Sequence, residues 1–267
     1  MPRIGLVAGY GTLPILFARS AKAKGDTVVV FALKGVTDES IASHADKVHW
    51  FEWGQFGKAI MTLIAERVKS IVMLGKIKKE ILFKEDERLD EEARKIIGDS
   101  ADKKDYKLLK GVADVLSKIG VAVMDPSPYL KELIPSKGVI TKRRPSKKEE
   151  LDIEYGLEVA RQFSALDIGQ TLAVKDKTII AVEAVEGTDE AIRRAGSLCK
   201  NGFTVIKAAR PNQDMRFDIP LVGPDTLEVL IAAGGTALAL EAEKTFLMDR
   251  ESVIRRADEK NISISIV

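Results

Sequence analysis

Cysteine and histidine are almost missing from this chain of 267 residues. Cys199 is the single cysteine, so no internal disulfide is open to it, and a reducing compartment, the cytoplasm, is the expectation. The two histidines, His44 and His49, cannot complete a zinc site with one cysteine. An excess of charge is lacking as well: 42 Lys and Arg balance 40 Asp and Glu, which argues against a dedicated nucleic-acid binder. Long apolar runs are few. The longest, Leu227 to Ala242, carries Glu228 and is broken by Gly234-Gly235, so it does not read as a bilayer span. The apolar segment after Met1-Pro2-Arg3 is too short for a secretory leader core, and membrane contact is expected only at a surface. No Walker loop, nucleophile elbow, kinase signature or internal repeat is present. What remains is an ordinary globular balance, 45% apolar and 31% charged, with length for one large domain or two modest ones.

The first third alternates strand and helix patterns. Ile4–Ala8, Val28–Leu33, Val48–Phe51 and Ile71–Leu74 are short apolar runs, and Leu13–Ala23 and Ala59–Val68 carry helical spacing. Buried strands alternating with helices imply a parallel sheet covered on both faces. Charged helices are expected near Asp86–Ile97 and Asp102–Ile119, then a strand at Val121–Met124. Ser136–Glu150 holds six Lys and Arg with few large apolar residues and reads as an exposed basic linker. A helix from Glu149 to Ala165 follows, then a hairpin, Thr171–Val174 and Thr178–Ala184, turning at Lys175-Asp176-Lys177. Helices at Thr188–Leu198, Thr226–Ala233 and Glu251–Glu259 alternate with strands at Phe203–Ala208 and near Ala237 and Ile262. The fold class is therefore α/β: an N-terminal Rossmann-like parallel-sheet domain (1–135), a basic linker (136–150) and a mixed α/β catalytic domain (151–267).

Four segments hold residues suited to chemistry. Gly9-Tyr10-Gly11-Thr12-Leu13-Pro14 follows a strand and opens a helix, where glycines let the backbone approach an anion. Pro14 stands where a dinucleotide fingerprint wants its third glycine, and Ala32-Leu33-Lys34 lacks the acid after the second strand, so a nicotinamide oxidoreductase is disfavoured. A tight strand-to-helix turn explains the segment as well as a ligand loop does. Leu74-Gly75-Lys76 ends a parallel strand, which suits a phosphate or a solvated lysine. Ile168-Gly169-Gln170 leads into the hairpin whose second strand runs Val182-Glu183-Ala184-Val185-Glu186-Gly187-Thr188-Asp189. Glu183 lies among small apolar neighbours and needs a cation, a metal or a hydrogen-bond donor, and Thr188 reads equally as a helix N-cap. Last, Lys207 through Arg210, Gln213, Asp214, Arg216 and Asp218 to Pro220 packs cations and carboxylates between a strand and a helix. A carboxylate beside Lys207, Arg210 or Arg216 stays ionised at neutral pH, suited to a hard cation or an attacking water, or simply to a charge-paired surface loop.

Taken together, Ile4 through Pro14, Leu166-Asp167-Ile168-Gly169-Gln170, Val182 through Asp189, and Gln213 through Arg216-Phe217-Asp218-Ile219-Pro220 to Gly223 resemble the LpxI-type UDP-2,3-diacylglucosamine pyrophosphatases of lipid A synthesis. The resemblance runs in order along the whole chain. It implies two α/β domains, Mg²⁺ or another divalent cation such as Mn²⁺, and a catalytic aspartate at Asp218, with Lys207 and Arg216 neutralising charge. It places Gly11, Thr12, Gly75, Lys76, Gln170, Thr188 and Gln213 toward substrate, and Asp218, Asp189 and Glu183 toward metal. Asp214 stands where family members carry a different acid, and Lys76 where others carry a neutral residue, which leaves both roles open. The implied substrate is a lipid-linked UDP-sugar, with transient inner-membrane surface contact and a homodimer. An apolar groove for the acyl chains is expected near Leu227–Leu240. The main rival is a non-catalytic nucleotide-sugar or lipid sensor on the same scaffold.

Overall fold

A computed structural model describes residues 2–76, 89–98, 105–199, 202–217 and 219–267, with backbone alone for 95–98 and 105–108. The chain forms two compact units, Met1–Leu130 with Met215–Asp218, and Lys131–Asp214 with Ile219–Val267. The expected helices at Asp86–Ile97 and Asp102–Ile119 appear as Glu91–Gly98 and Asp105–Lys118. Their remaining expected residues before Leu89 and before Asp105 lie outside the described ones.

In the first unit, strands β1 (Arg3–Ala8), β2 (Thr27–Leu33), β3 (Lys47–Phe51), β4 (Ser70–Leu74) and β5 (Ala122–Val123) form one parallel sheet in the order β3-β2-β1-β4-β5. The run Val28-Val29-Val30-Phe31-Ala32 is buried throughout, as a strand covered on both faces must be. Helix α1 (Leu13–Ala23) begins with Pro14 in its first turn, where a missing N–H removes nothing from the ladder, and it buries Leu13, Phe17, Ala18 and Ala21. Helix α2 (Phe56–Ala65) connects β3 to β4, and α3 (Glu91–Gly98) and α4 (Asp105–Lys118) precede β5. Because β2 and β3 lie on one side of β1 and β4 and β5 on the other, the strand order reverses between β1 and β4. Ligands in open α/β sheets lie beyond the carboxyl ends of the strands at such a reversal.

The second unit carries a six-stranded mixed sheet. Its strands are β6 (Gly138–Val139), β7 (Thr171–Lys175), β8 (Thr178–Val182), β9 (Thr204–Lys207), β11 (Ala237–Leu240) and β13 (Ser263–Ile266), in the order β6-β13-β11-β9-β7-β8. The central β9, β11 and β13 are parallel, and β6 and the β7–β8 hairpin are antiparallel additions at the two edges. The hairpin turn holds Asp176 and Lys177 at positive φ without glycine. Asp152, on helix α5 (Lys147–Ala165), accepts both of their amides at 3.1 and 2.7 Å, fixing the turn from outside. Helix α5 packs Ile153, Ala160 and Phe163 on one face of the sheet. Helices α6 (Thr188–Leu198), α7 (Pro224–Ala233) and α8 (Arg250–Glu259) bury Ile192, Leu227, Leu230 and Val253 in the cluster that holds Leu238, Leu240 and Ile264 of the sheet. A two-stranded parallel pair joins β10 (Leu221–Val222) to β12 (Phe246–Leu247).

Two expectations are corrected here. The basic segment 136–150 is not a linker but part of the second unit, which begins at Lys131. It supplies β6 and the start of α5, and Arg143 turns inward to pair with Glu149 at 2.7 Å. The acyl groove expected at Leu227–Leu240 is filled instead: Leu227, Leu230, Leu238 and Leu240 are at most 1% exposed and pack on one another.

Candidate functional site

Glycine shapes the end of the first unit's sheet at the strand reversal. Gly9 donates to the Leu74 carbonyl at 2.7 Å, and Tyr10 and Lys76 exchange a pair of backbone bonds at 2.8 and 2.9 Å. Gly9 and Gly75 lie back to back: a methyl on Gly75 would sit 2.7 Å from the Gly9 carbonyl carbon, and one on Gly9 2.8 Å from the Lys76 oxygen. Gly75 also holds φ +94°, which excludes a side chain twice over. This closure brings Gly11, Thr12, Gly75 and Lys76 to one end of the sheet. Thr12 is exposed at the start of α1, and its hydroxyl makes no cap bond there.

In the second unit a polar cluster forms where β7 begins and β8 and β9 end. Half-buried Glu183 follows β8, and its carboxylate accepts from the Thr188 hydroxyl at 2.8 Å and from the Gln170 amide at 3.2 Å. Lys207, the last residue of β9 and 6% exposed, donates to Thr188 Oγ1 at 2.8 Å and to Thr171 Oγ1 at 3.1 Å. Thr188 is the first residue of α6 and not its cap, which is Gly187, so its hydroxyl is free to bridge ammonium and carboxylate. Burial pushes the Glu183 carboxyl up, but the Lys207 charge and the bonds from Thr171, Thr188 and Gln170 outweigh it and hold it below the usual range. Glu183 is therefore ionised at neutral pH, opposite a buried cation that two hydroxyls orient. Gly169 makes the approach possible, since a methyl there would lie 2.2 Å from the Glu183 carbonyl oxygen.

Asp189, Gln213 and Arg216 have contacts of their own. Asp189 accepts from Thr226 at 3.1 Å and is not bonded to Glu183. Gln213 accepts from the Arg210 amide at 3.3 Å, and Arg210 pairs with Asp167 at 2.6 Å. Arg216 belongs to the first unit and stacks its guanidinium 5.0 Å from the Phe217 ring centroid. Asp218 lies outside the described residues.

Three participants escaped the sequence reading. Thr171 sits at the start of a strand, Asp167 adopts φ 58° after α5, and Glu241 follows β11. Glu241 is 4% exposed and accepts from the Ala209 amide at 2.9 Å and from Arg161 at 3.0 Å, pinning the segment after Lys207. The position of Glu241 just beyond a parallel strand was the available signal. Among the described residues no three of His, Cys, Asp and Glu converge, and Glu183 and Asp189 are engaged by separate donors.

The LpxI N-terminal domain matches residues 3–133 and the LpxI C-terminal domain residues 136–265. A relative from Caulobacter vibrioides, named UDP-2,3-diacylglucosamine pyrophosphatase LpxI, is 30% identical over 99% of this chain and 97% of its own length. The chain belongs to the LpxI family.

Within the LpxI family assignment, Gly11, Thr12, Gly75 and Lys76 fall in the N-terminal domain, and Gln170, Glu183, Thr188 and Lys207 in the C-terminal one. Among solved structures, the biotin carboxylase domain of a thermophilic 2-oxoglutarate carboxylase is similar at a TM-score of 0.27 and 13% identity, over 65% of this chain and 35% of its own. Biotin carboxylase from Campylobacter jejuni gives 0.28 and 11%, over 73% and 41%. Likeness at that level carries no argument about the LpxI site.

Proposed function

We propose that this chain hydrolyses the pyrophosphate bond of UDP-2,3-diacylglucosamine, giving 2,3-diacylglucosamine 1-phosphate and UMP. The end-to-end relation to a protein named for that reaction carries the reading. The Lys207–Thr188–Glu183 cluster supports it, because an ammonium fixed by two hydroxyls is a group that neutralises phosphoryl charge without reorganising. In this reading water attacks the sugar-side phosphorus, the bridging oxygen leaves with UMP, and the Asp218 carboxylate takes the proton of the water. Lys207 and Arg216 balance the charge that develops, and Gln170, Thr188 and Gln213 position the phosphates. Catalysis of this kind is positioning and electrostatics. Dependence on Mg²⁺ or Mn²⁺ is part of the proposal through the family resemblance, with Asp218, Asp189 and Glu183 as its expected ligands. So are a homodimer, a cytoplasmic location and transient contact with the inner-membrane surface. Among the described residues no helix is long and apolar enough to cross a membrane.

A ³¹P NMR assay of the purified chain with UDP-2,3-diacylglucosamine tests the proposal, run with Mg²⁺, with EDTA and with Asp218→Ala. UMP and the sugar 1-phosphate are expected with Mg²⁺ and not in the other two arms. A pyrophosphate signal that stays intact under every divalent ion, while the substrate still binds, would replace the enzyme with a sensor.

A further inference from the structure

The first unit presents an aromatic ring in an unusual setting. The other described rings of this unit are buried or half-buried: Phe17, Phe31 and Phe51 are buried, and Tyr129 packs edge-on against Phe17 and donates its hydroxyl to Asp26. Tyr10 is 60% exposed, and it is the only exposed aromatic side chain among the described residues. No other ring stacks on it among them. An exposed ring contributes little to the core.

That place is specific. Tyr10 stands between Gly9 and Gly11, directly beyond β1 at the strand reversal. Both of its backbone polar groups are engaged, the N–H by the Lys76 carbonyl at 2.8 Å and the carbonyl by the Lys76 N–H at 2.9 Å. The main chain under the ring is therefore fixed, while the side chain is largely exposed. Gly11 beside it holds φ +106° with open space where a Cβ would lie. A ring held on a stiff backbone at the ligand end of a parallel sheet is a stacking platform, and planar bases stack on such rings whatever their edge pattern.

We infer that Tyr10 is the base subsite, its ring carrying the pyrimidine of a uridine nucleotide on the first unit. The inference rests on the proposed UDP-linked substrate and adds a residue with a defined role, since Tyr10 holds the base by its face and takes no part in the bond that breaks. Loss of the ring therefore raises KM and leaves kcat in place. Loss of the hydroxyl alone changes neither.

Calorimetric titration with UMP, ribose 5-phosphate and inorganic pyrophosphate, on the full chain and on Tyr10→Phe and Tyr10→Ala, tests this. Tyr10→Ala is expected to weaken UMP binding by about tenfold, a typical stacking loss for one base, and to leave ribose 5-phosphate and pyrophosphate unchanged. Tyr10→Phe is expected to bind all three as the parent does. Equal weakening of UMP and ribose 5-phosphate in Tyr10→Ala would overturn the base assignment in favour of a phosphate-loop effect. Unchanged UMP binding would overturn it outright. A parent chain that binds no UMP would instead sink the nucleotide reading on which the assignment stands. Because the ring is exposed, thermal melting of the three proteins should coincide, which keeps a folding defect from imitating the result.

Discussion

One hydroxyl joins the two charges of the candidate site. Thr188 Oγ1 accepts from the Lys207 ammonium and donates to Glu183, each at 2.8 Å, so the side chains are aligned through it. Thr188→Val keeps the volume and removes the link. A hydrogen bond to a charged group contributes about 1.5–3 kcal/mol. Turnover is therefore expected to fall by roughly 10- to 100-fold, at about 1.4 kcal/mol per decade. Glu183 also loses a donor that holds its carboxyl low, so the acid limb of the kcat profile should move to higher pH. A profile that keeps its acid limb while the rate falls would show that Glu183 does not titrate in the step observed. At this scale the sequence was informative about residue type: Glu183 among small apolar neighbours had to find a cation or donors, and it found both. It was silent about Thr171, because nothing local reveals that three strand ends meet.

The start of helix α5 is built by a capping box, and that explains why a basic segment folds inward. Ser146 and Glu149 exchange bonds across the first turn, at 3.4 and 2.7 Å. Glu149, 7% exposed, also accepts Arg143 Nη2 on both carboxylate oxygens at 2.7 and 2.8 Å and the Thr236 hydroxyl at 2.7 Å. Burial alone would raise its carboxyl, but Arg143, the Ser146 amide and Thr236 hold it below the ordinary range. Its contribution to stability is thus complete above the unfolded value of about 4.3 and is lost as pH falls through the lower folded value. Glu149→Gln should cost roughly 1.5–3 kcal/mol at pH 7 and flatten the fall in urea midpoint below about pH 4. An unchanged midpoint at pH 7 would mean that Arg143 finds another partner. Periodicity disclosed α5 to its last residue, Ala165, and placed α1 and α6 at both ends, since each carries a full apolar stripe. It could not disclose β6, β10 or β12, because two residues hold no period, and β6 is the short element that turns a supposed linker into a sheet edge.

For the whole molecule, chain order and compact units do not coincide. The boundary between the two family domains falls between residues 133 and 136, yet Met215–Asp218 belongs with the first unit although the chain on either side belongs to the second. No reading of composition finds such an excursion, because four residues with one Phe look like any polar loop. Phe217 makes it definite. Its ring is 2% exposed and lies in the first unit's core with Val29, Phe31, Phe51 and Ile71, immediately before Asp218 in the chain. Deleting a buried phenyl ring costs about 3–5 kcal/mol, so Phe217→Ala is expected to lower the thermal midpoint clearly. It should also lower turnover toward that of Asp218→Ala, because the residue that anchors the aspartate's segment is gone. Phe217→Leu, which keeps most of the apolar volume, should recover both together. If stability returns in the leucine variant and turnover does not, the phenyl ring itself sets the position of the segment, and a filled core is not enough for catalysis. If turnover survives in the alanine variant, the role of Asp218 does not depend on this anchor.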